Sequence, residues 1–206
     1  TKIGSNRLVE AQDGSWIKDE DLAIAVKPSD LPAIANKAQK WIDISIISQT
    51  LVLYEGQKPV YVTAVSTGRD GMGDPKTTHS TIRGTFRIRE KHVTTTMDAH
   101  EVDNKFELRD VPWVEYFKGG YALHAAPWHN DFGKPRSHGC INLSPIDARR
   151  LEQLFGQRRE VVAEQQRQDR HAEDGVHDHQ TPQAAVEAHF AQDDDDRIEH
   201  HLIGDE

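Results

Sequence analysis

Cys140 is the only cysteine of the chain, and two histidines stand on its N-terminal side. His138 precedes it by two residues and His124 by sixteen. A thiol attacks acyl groups as the thiolate, so it needs a nearby imidazole to accept its proton. That imidazole needs a hydrogen-bond acceptor on its other nitrogen, which fixes the tautomer. These residues indicate nucleophilic acyl transfer, and their spacing alone leaves both histidines open as the base.

Gly139 directly precedes the thiol, and its N–H has no side chain to block the approach of an oxyanion. Two other interpretations compete with catalysis. A lone cysteine is more often a small buried hydrophobe than a nucleophile. A zinc site is the second, because three imidazoles and a thiolate suit tetrahedral Zn²⁺. Its ligands would be His124, His129, His138 and Cys140, but their spacing resembles none of the compact zinc-ligand pairs.

Strands are predicted on the N-terminal side of this motif. Residues 41–46 alternate apolar and polar side chains, which is typical of a half-buried strand. Residues 50–54 and 60–65 have the same β character on either side of the turn residues 56–58, so we expect a hairpin there. Residues 67–78 are rich in Gly, Asp, Pro and Lys, which predicts a long loop.

Two more strands and one helix are predicted around the motif. Strand character returns at residues 81–89, and residues 121–124 place His124 at the end of another strand. Ser144 as N-cap and Pro145 at the first helical position predict the start of a helix. The apolar face of this helix, at i, i+3 and i+7, would consist of Ala148, Leu151 and Phe155.

Charge is distributed unevenly along the chain. Residues 156–206 hold 14 acidic and 5 basic residues, whereas residues 1–155 are neutral overall. No basic patch with interleaved aromatic residues occurs, which argues against nucleic-acid binding. No run of about 18 apolar residues occurs, so no membrane span is predicted. The N-terminal residues carry no signal-peptide pattern, which fits a processed secreted chain and a cytosolic chain equally.

His124 together with the run Ser137-His138-Gly139-Cys140 resembles the signature of the L,D-transpeptidase (YkuD-type) catalytic domain family. The resemblance covers residues 41–155 and extends to the segments 65–68 (Val-Ser-Thr-Gly) and 84–86 (Gly-Thr-Phe). It implies a mainly β fold, a YkuD-like β-sandwich or curved mixed sheet, with one short helix after the catalytic motif.

This resemblance also implies roles for residues of the motif. Cys140 would be the nucleophile and His124 the general base. The main-chain carbonyl of Ala125 would hold the base in place. Ser137 and His138 match positions that shape the site around the thiol.

The oxyanion hole and the substrate groove follow from the same resemblance. The N–H groups of Gly139 and Cys140 would bind the oxyanion, and the hydroxyl of Tyr116 or Tyr121 is a candidate for a further donor. Asn142 stands where many family members have arginine. The weaker candidates for oxyanion or substrate binding are Tyr116, Tyr121, Trp128 and Asn142.

The implied reaction is acyl transfer on peptidoglycan stem peptides. Cys140 would attack the bond after the third stem residue, a diamino acid, and release the terminal D-alanine. An amine of another stem, a protein amine or water would then resolve the thioester; an amine of a stem would give a 3→3 cross-link. No metal or organic cofactor is implied, and the compartment would be the periplasm or cell wall. The alternatives are an L,D-carboxypeptidase and a zinc-binding or peptidoglycan-binding module without catalysis.

Three segments are expected along the chain: an N-terminal extension (1–40), the catalytic domain (41–155) and a tail (156–206). The tail is acidic, contains seven glutamines and holds six of the twelve histidines. This composition predicts a largely disordered segment. Family members usually continue after the helix into strand-forming sequence, so the alternative is that part of this tail replaces those strands.

Overall fold

The computed structural model describes residues 2–3, 6–11, 13–18, 22–28, 30–37, 39–99, 106–155 and 160–163. The strands are β1 (Lys2–Ile3), β2 (Asn6–Glu10), β3 (Trp16–Lys18), β4 (Lys40–Ser45), β5 (Thr50–Glu55), β6 (Lys58–Ala64), β7 (Gly84–Arg87), β8 (Glu90–Ala99), β9 (Phe106–Lys118), β10 (Tyr121–Ala125), β11 (Ile141–Leu143) and β12 (Glu160–Ala163). One α-helix, α1 (Pro145–Phe155), follows β11, and a short 3₁₀ helix spans Ala33–Asn36.

The strands form three sheets. Strands β1 to β3 make a small antiparallel sheet at the N-terminus. A five-stranded sheet has the order β6-β5-β4-β12-β7, and a four-stranded sheet has the order β11-β10-β9-β8. Helix α1 packs against β9 and β10. This mainly β architecture, with mixed sheets and one helix after the motif, confirms the predicted fold class.

The main hydrophobic core joins the two larger sheets and the helix. Each fully buried aliphatic or aromatic side chain contributes about 1.5–3 kcal/mol to stability. The five-stranded sheet supplies Ile42, Ile44, Leu51, Leu53 and Val161, the four-stranded sheet supplies Phe117, Leu123, Ile141 and Leu143, and the helix supplies Ala148 and Leu151.

The other face of β4 and β5 is covered by part of the predicted N-terminal extension. Trp41 stacks on Tyr54 with ring centroids 4.4 Å apart, and Trp41 Nε1 donates to the Gly56 carbonyl at 2.7 Å. Both faces of these strands are therefore buried, which fits the apolar run of residues 51–54 in β5. The alternation in β4 predicted a strand buried on one face only, and the structure corrects that. The side chains from the extension that pack on this face are those of Ala25, Ile34 and Ala35.

Helix α1 begins as the sequence predicts. The Ser144 hydroxyl accepts the Asp147 N–H at 3.1 Å and donates to the Asp147 carboxylate at 2.6 Å, so it caps the first turn. The Thr63 hydroxyl of β6 donates to the same carboxylate at 2.9 Å, which ties the helix start to the five-stranded sheet. Within the described residues, no helix has the length and apolar character needed to cross a membrane.

The predicted tail contains a strand of the central sheet. Residues 160–163 form β12, which pairs in parallel with β4 and antiparallel with β7. The prediction of disorder is therefore wrong for these four residues, and the alternative that the segment supplies a missing strand holds for them. Their backbone hydrogen bonds and the buried Val161 side chain outweigh the polar composition around them. Residues 164–206 lie outside the described part of the chain.

We expect Val161→Ala to lower the free energy of unfolding by about 2 kcal/mol, because two buried methyl groups are removed and a cavity remains. Denaturant unfolding followed by circular dichroism measures the change. Val93→Ala is the matched control, since Val93 is 69% exposed and should change stability by no more than about 0.5 kcal/mol. Equal effects of the two substitutions would contradict the position of β12.

Candidate active site

The pairing of β10 with β11 brings His124 close to the segment that carries Cys140. The two strands are parallel, and His124 is the register partner of Asn142. Register partners project from the same face of a sheet, as do alternate residues of one strand. Cys140 precedes Asn142 by two residues and packs in the same apolar cluster as Ala122. Thiol and imidazole thus lie on one face, about 7 Å apart along the strands.

His124 is a buried imidazole whose tautomer is fixed by the backbone. Its side chain is only 3% exposed, and Nδ1 lies 2.9 Å from the carbonyl oxygen of Ala125. A carbonyl can only accept, so Nδ1 carries the hydrogen and Nε2 is left to accept a proton. Burial lowers the pKa of His124 to about 4, although the bond to Ala125 opposes the shift. The ring is therefore a neutral base at neutral pH.

The thiol of Cys140 is partly exposed and protonated. Its Sγ donates to the carbonyl oxygen of Gly120 at 3.5 Å, rather than to His124. The surrounding protein atoms raise the pKa of Cys140 to about 11, and a hydrogen bond from the Ala122 N–H partly offsets this. A thiol in this state would have to give up its proton before or during attack on an acyl group. Catalytic hydrogen bonds often tighten only when substrate is bound.

Ser137 holds the backbone on both sides of the Gly139–Cys140 peptide bond. Its hydroxyl accepts the Gly139 N–H at 3.0 Å and donates to the Cys140 carbonyl at 2.5 Å. This arrangement corrects the expectation for Gly139, because its N–H is directed at Ser137 and not at an incoming carbonyl group. The Cys140 N–H remains the backbone candidate for the oxyanion hole.

Gly139 is required by its conformation and by its neighbours. Its φ is +123°, a region that residues with a side chain rarely adopt. A Cβ atom at this position would lie 2.7 Å from Cε1 of Tyr121. The Gly139 carbonyl accepts a hydrogen bond from the hydroxyl of Thr81 at 2.8 Å, which fixes the peptide group before Cys140.

The segment before the long loop runs alongside the motif. Ser66 and Asn142 exchange two main-chain hydrogen bonds of 3.0 and 2.9 Å, and the Arg69 N–H donates to the Ser137 carbonyl at 2.9 Å. Gly68 makes this approach possible, because a Cβ there would lie 2.0 Å from a carbonyl oxygen of the facing loop. The segment holds both ends of the motif in register.

His138, the second candidate base, is held by an arginine. Its Nε2 lies 3.2 Å from a terminal nitrogen of Arg69, and a guanidinium can only donate, so Nε2 accepts. Burial and the charge of Arg69 both lower the pKa of His138. No described donor occupies Nε2 of His124. The contacts therefore favour His124 over His138 as the proton acceptor.

The two candidate tyrosines lie in different surroundings. Tyr116 packs in the same cluster as Cys140, and its pKa is raised by burial and by the negative charge that Cys140 would carry as thiolate. The hydroxyl of Tyr121 donates to the Pro75 carbonyl at 3.4 Å, and its ring packs beside Gly139. Tyr116 is thus the better placed of the two to act near the sulfur.

The loop after β10 covers the base. Trp128 is 48% exposed, and its ring centroid lies 5.8 Å from that of His124. The rings of His129 and Phe132 pack at a tilt with their centroids 4.7 Å apart, and Nε2 of His129 lies 3.2 Å from Nδ2 of Asn142. The loop is therefore connected to Asn142 of β11 through His129.

The four residues of the zinc hypothesis are engaged with different partners. His124 contacts the Ala125 carbonyl and His138 contacts a guanidinium, while His129 contacts Asn142. In the part of the chain that the structure describes, no group of three histidine, cysteine or acidic side chains is arranged to hold a metal ion. The geometry thus gives the zinc hypothesis no support.

Sequence reasoning did not identify Arg69 or Thr81, although both contact the motif. The available signal was the Val-Ser-Thr-Gly segment at residues 65–68, which Arg69 directly follows. Thr81 carried no signal of its own, because it lies far along the chain and reaches the motif only through the fold.

Comparison with known proteins identifies relatives of this arrangement. The matching family model is described as YkuD, L,D-transpeptidase catalytic domain, and covers residues 39–162. YciB of Bacillus subtilis (strain 168), whose name places it among the L,D-transpeptidases, is 26% identical over 150 residues, or 66% of this chain and 72% of that protein.

Two solved structures resemble the fold. An L,D-transpeptidase from Mycobacterium smegmatis has a TM-score of 0.53 at 24% identity, over 62% of this chain and 59% of that chain. The transpeptidase LdtMt1, solved in complex with imipenem, has a TM-score of 0.50 at 25% identity, over 60% of this chain and 58% of that chain. This chain therefore spans about three fifths of the length of these solved relatives.

Proposed function

Because this chain belongs to the YkuD family of L,D-transpeptidase catalytic domains, we propose that it transfers acyl groups through a thioester on Cys140. The donor substrate in this proposal is a peptidoglycan tetrapeptide stem, cleaved after its third residue, a diamino acid. The enzyme would act in the periplasm or cell wall, where that substrate occurs. The proposal needs no metal ion or organic cofactor.

One observation carries the proposal. The parallel register of β10 and β11 puts the His124 imidazole and the Cys140 thiol on one face of the sheet. A buried neutral base beside a partly exposed thiol is the arrangement that a cysteine acyltransferase needs. The alternative of a non-catalytic peptidoglycan-binding module gives no reason for a base and a nucleophile at this spacing.

In the first step the thiol proton moves to Nε2 of His124 as Sγ attacks the carbonyl carbon of the donor. A C–S bond forms, and the π electrons of the carbonyl group move to its oxygen. The Cys140 N–H is the backbone donor for this oxyanion, and the Tyr116 hydroxyl is the side-chain donor that we favour. Stabilising charge where it develops in the transition state accelerates the step.

In the second step the tetrahedral intermediate collapses and the C–N bond breaks. The imidazolium of His124 gives its proton to the leaving nitrogen, so D-alanine departs as a neutral amine and the thioester remains. An acceptor amine then loses its proton to His124 and attacks the thioester. The thiolate of Cys140 is then expelled and takes this proton back from His124. The enzyme is restored and the cross-linked product is released.

Water can replace the acceptor amine in the last step, which would make the enzyme an L,D-carboxypeptidase. The exposed ring of Trp128 and the partial exposure of Cys140 are the observations that favour this second candidate. We favour transfer, because Trp128 and Phe132 place two large aromatic rings in the loop over the site, where they can limit access of water.

Donor tetrapeptide supplied with increasing diamino-acid acceptor separates these possibilities. We expect the mass of cross-linked dimer to rise with acceptor while tripeptide falls, because amine and water compete for one thioester. Constant tripeptide without dimer at saturating acceptor would assign the chain as an L,D-carboxypeptidase. Absence of every product, with donor still bound, would support the non-catalytic module.

A further inference from the structure

Arg69 lies at the mouth of the site beside the motif, and the reaction scheme above leaves it without a role. Its side chain is exposed, while its backbone is bonded to Ser137. One terminal nitrogen lies 3.2 Å from Nε2 of His138, and the other lies 3.1 Å from Nε2 of His79. The rings of the two histidines meet edge to face at 4.9 Å. The guanidinium is thus held between two imidazoles.

Asp70 holds His79 in place beside Arg69. Its Oδ2 accepts the main-chain N–H of His79 at 2.7 Å and lies 3.2 Å from Nδ1 of the same ring. The Arg69 nitrogen that contacts His79 lies 3.0 Å from Nδ1 and 3.1 Å from Nε2, so Asp70 and Arg69 both contact this ring. Arg69 thus donates to His138 on one side and to His79 on the other, and the Asp70 carboxylate accepts the main-chain N–H of His79. Arg69 is therefore oriented before any ligand binds.

The directed contacts of Arg69 use only part of its hydrogen-bonding capacity. A guanidinium has five N–H donors, and the two rings take two of them, so about three remain. A planar fork of this kind binds carboxylates in bidentate geometry. The Oδ2 atom of Asp70 is already bonded to the main-chain N–H of His79.

We propose that Arg69 binds a free carboxylate of the donor stem peptide while Cys140 attacks that donor. The scissile carbonyl must come within about 3–3.5 Å of the sulfur. The carboxylate of the leaving residue lies one residue further, and a residue spans at most about 3.6 Å. Arg69 contacts His138, which is two residues from Cys140. The distance from the sulfur to the guanidinium is therefore compatible with the distance from the scissile carbonyl to this carboxylate.

This inference rests on the proposed function, because its ligand is the proposed donor. Two carboxylates of the same chemistry lie next to the scissile bond of such a donor: that of the terminal residue and that on the side chain of the diamino acid. Three tetrapeptides distinguish them: the unmodified peptide, its C-terminal carboxamide and its side-chain carboxamide. Binding is measured by calorimetry on the full chain carrying Cys140→Ala, so that no donor is consumed.

In that background Arg69→Gln should weaken binding of the unmodified donor about 10- to 100-fold, the loss expected for a hydrogen bond to a charged group. It should leave the affinity for one of the two carboxamides unchanged, and that peptide identifies the carboxylate. Arg69→Lys should recover part of the affinity, because it keeps the charge but loses the fork. Arg149→Gln is the matched control, since Arg149 is an exposed arginine of α1.

Equal weakening of all three peptides by Arg69→Gln would overturn the proposal, because Arg69 would then only position His138. Unchanged affinity for all three, or no binding of the unmodified donor to the chain that retains Arg69, would overturn it as well. The proposed function is tested separately by turnover of the chain with Cys140 intact. Carboxylate-dependent binding without turnover would reject that function and leave the assignment of Arg69 standing.

Discussion

Cys140→Ala is expected to abolish formation of both tripeptide and cross-linked dimer, and His124→Ala to lower the rate by at least about 10³-fold. Without the thiol no thioester can form. Without the imidazole the thiol, whose pKa is raised to about 11, has no acceptor for its proton at neutral pH. Because the two groups act in one proton transfer, the double variant should be little slower than either single variant. Initial rates of D-alanine release give the comparison.

His138→Ala is the control for this experiment. It removes an imidazole of the same motif whose Nε2 already accepts from Arg69, so it should retain far more activity than His124→Ala. Circular dichroism of each variant establishes that the fold persists. Wild-type rate in His124→Ala together with loss of activity in His138→Ala would reverse the assignment of the base.

The dependence of kcat/KM on pH should show an unusually broad plateau. The competent free enzyme has a neutral His124 and a protonated Cys140. The pKa of His124 is lowered to about 4 by burial, and that of Cys140 is raised to about 11. Below the first value the imidazole is already protonated and cannot accept the thiol proton. Above the pKa of Cys140, neither His124 nor Cys140 carries a proton that could be given to the leaving amine.

Activity should therefore fall about tenfold per pH unit below pH 4, remain level through neutrality, and fall again above about pH 11. The rates are measured with a donor whose own groups do not titrate across the plateau, and brief exposure followed by return to pH 7 separates titration from unfolding. The two limits belong to the coupled pair rather than to either residue alone. A midpoint near 6.5, the ordinary pKa of histidine, would show that the base is solvated and is not the buried His124.

Local patterns were sufficient to predict several elements of this fold. The alternation in residues 41–46 and the hairpin of residues 50–65 correspond to β4, β5 and β6. The helix after the motif starts at Pro145 with Ser144 as its cap. These elements depend on neighbours a few residues apart, so a single sequence contains the information.

Other elements depend on partners far along the chain. Residues 160–163, Glu-Val-Val-Ala, are too short and too isolated to predict a strand, and they form one because β4 and β7 offer unpaired backbone on both sides. Strand β8 is rich in threonine, and its residue Val93 is exposed. Its sequence therefore lacks the apolar face from which a strand could be predicted. Tertiary pairing decides both cases.

The candidate site likewise has some features that the local sequence predicts and others that only the tertiary structure determines. The types and spacing of the residues at 124 and 137–140 identify the chemistry, but the choice between two histidines requires their contacts. The Gly139 N–H was expected in the oxyanion hole, and the fold directs it to Ser137 instead. That orientation follows from a positive φ and from a serine hydroxyl, neither of which can be derived from spacing.

The position of β12 has a consequence for the order in which the chain can assemble. Ribosomes add about 5–20 residues per second, so the roughly seventy residues between β7 and β12 take on the order of 4–15 s to synthesise. During that interval β4 and β7 lack the strand that separates them, and each has an open edge that can pair with another chain. The catalytic motif leaves the ribosome before the sheet beneath it closes. Correct assembly therefore depends on the insertion of β12, the last strand among the described residues, between two strands that are synthesised before it.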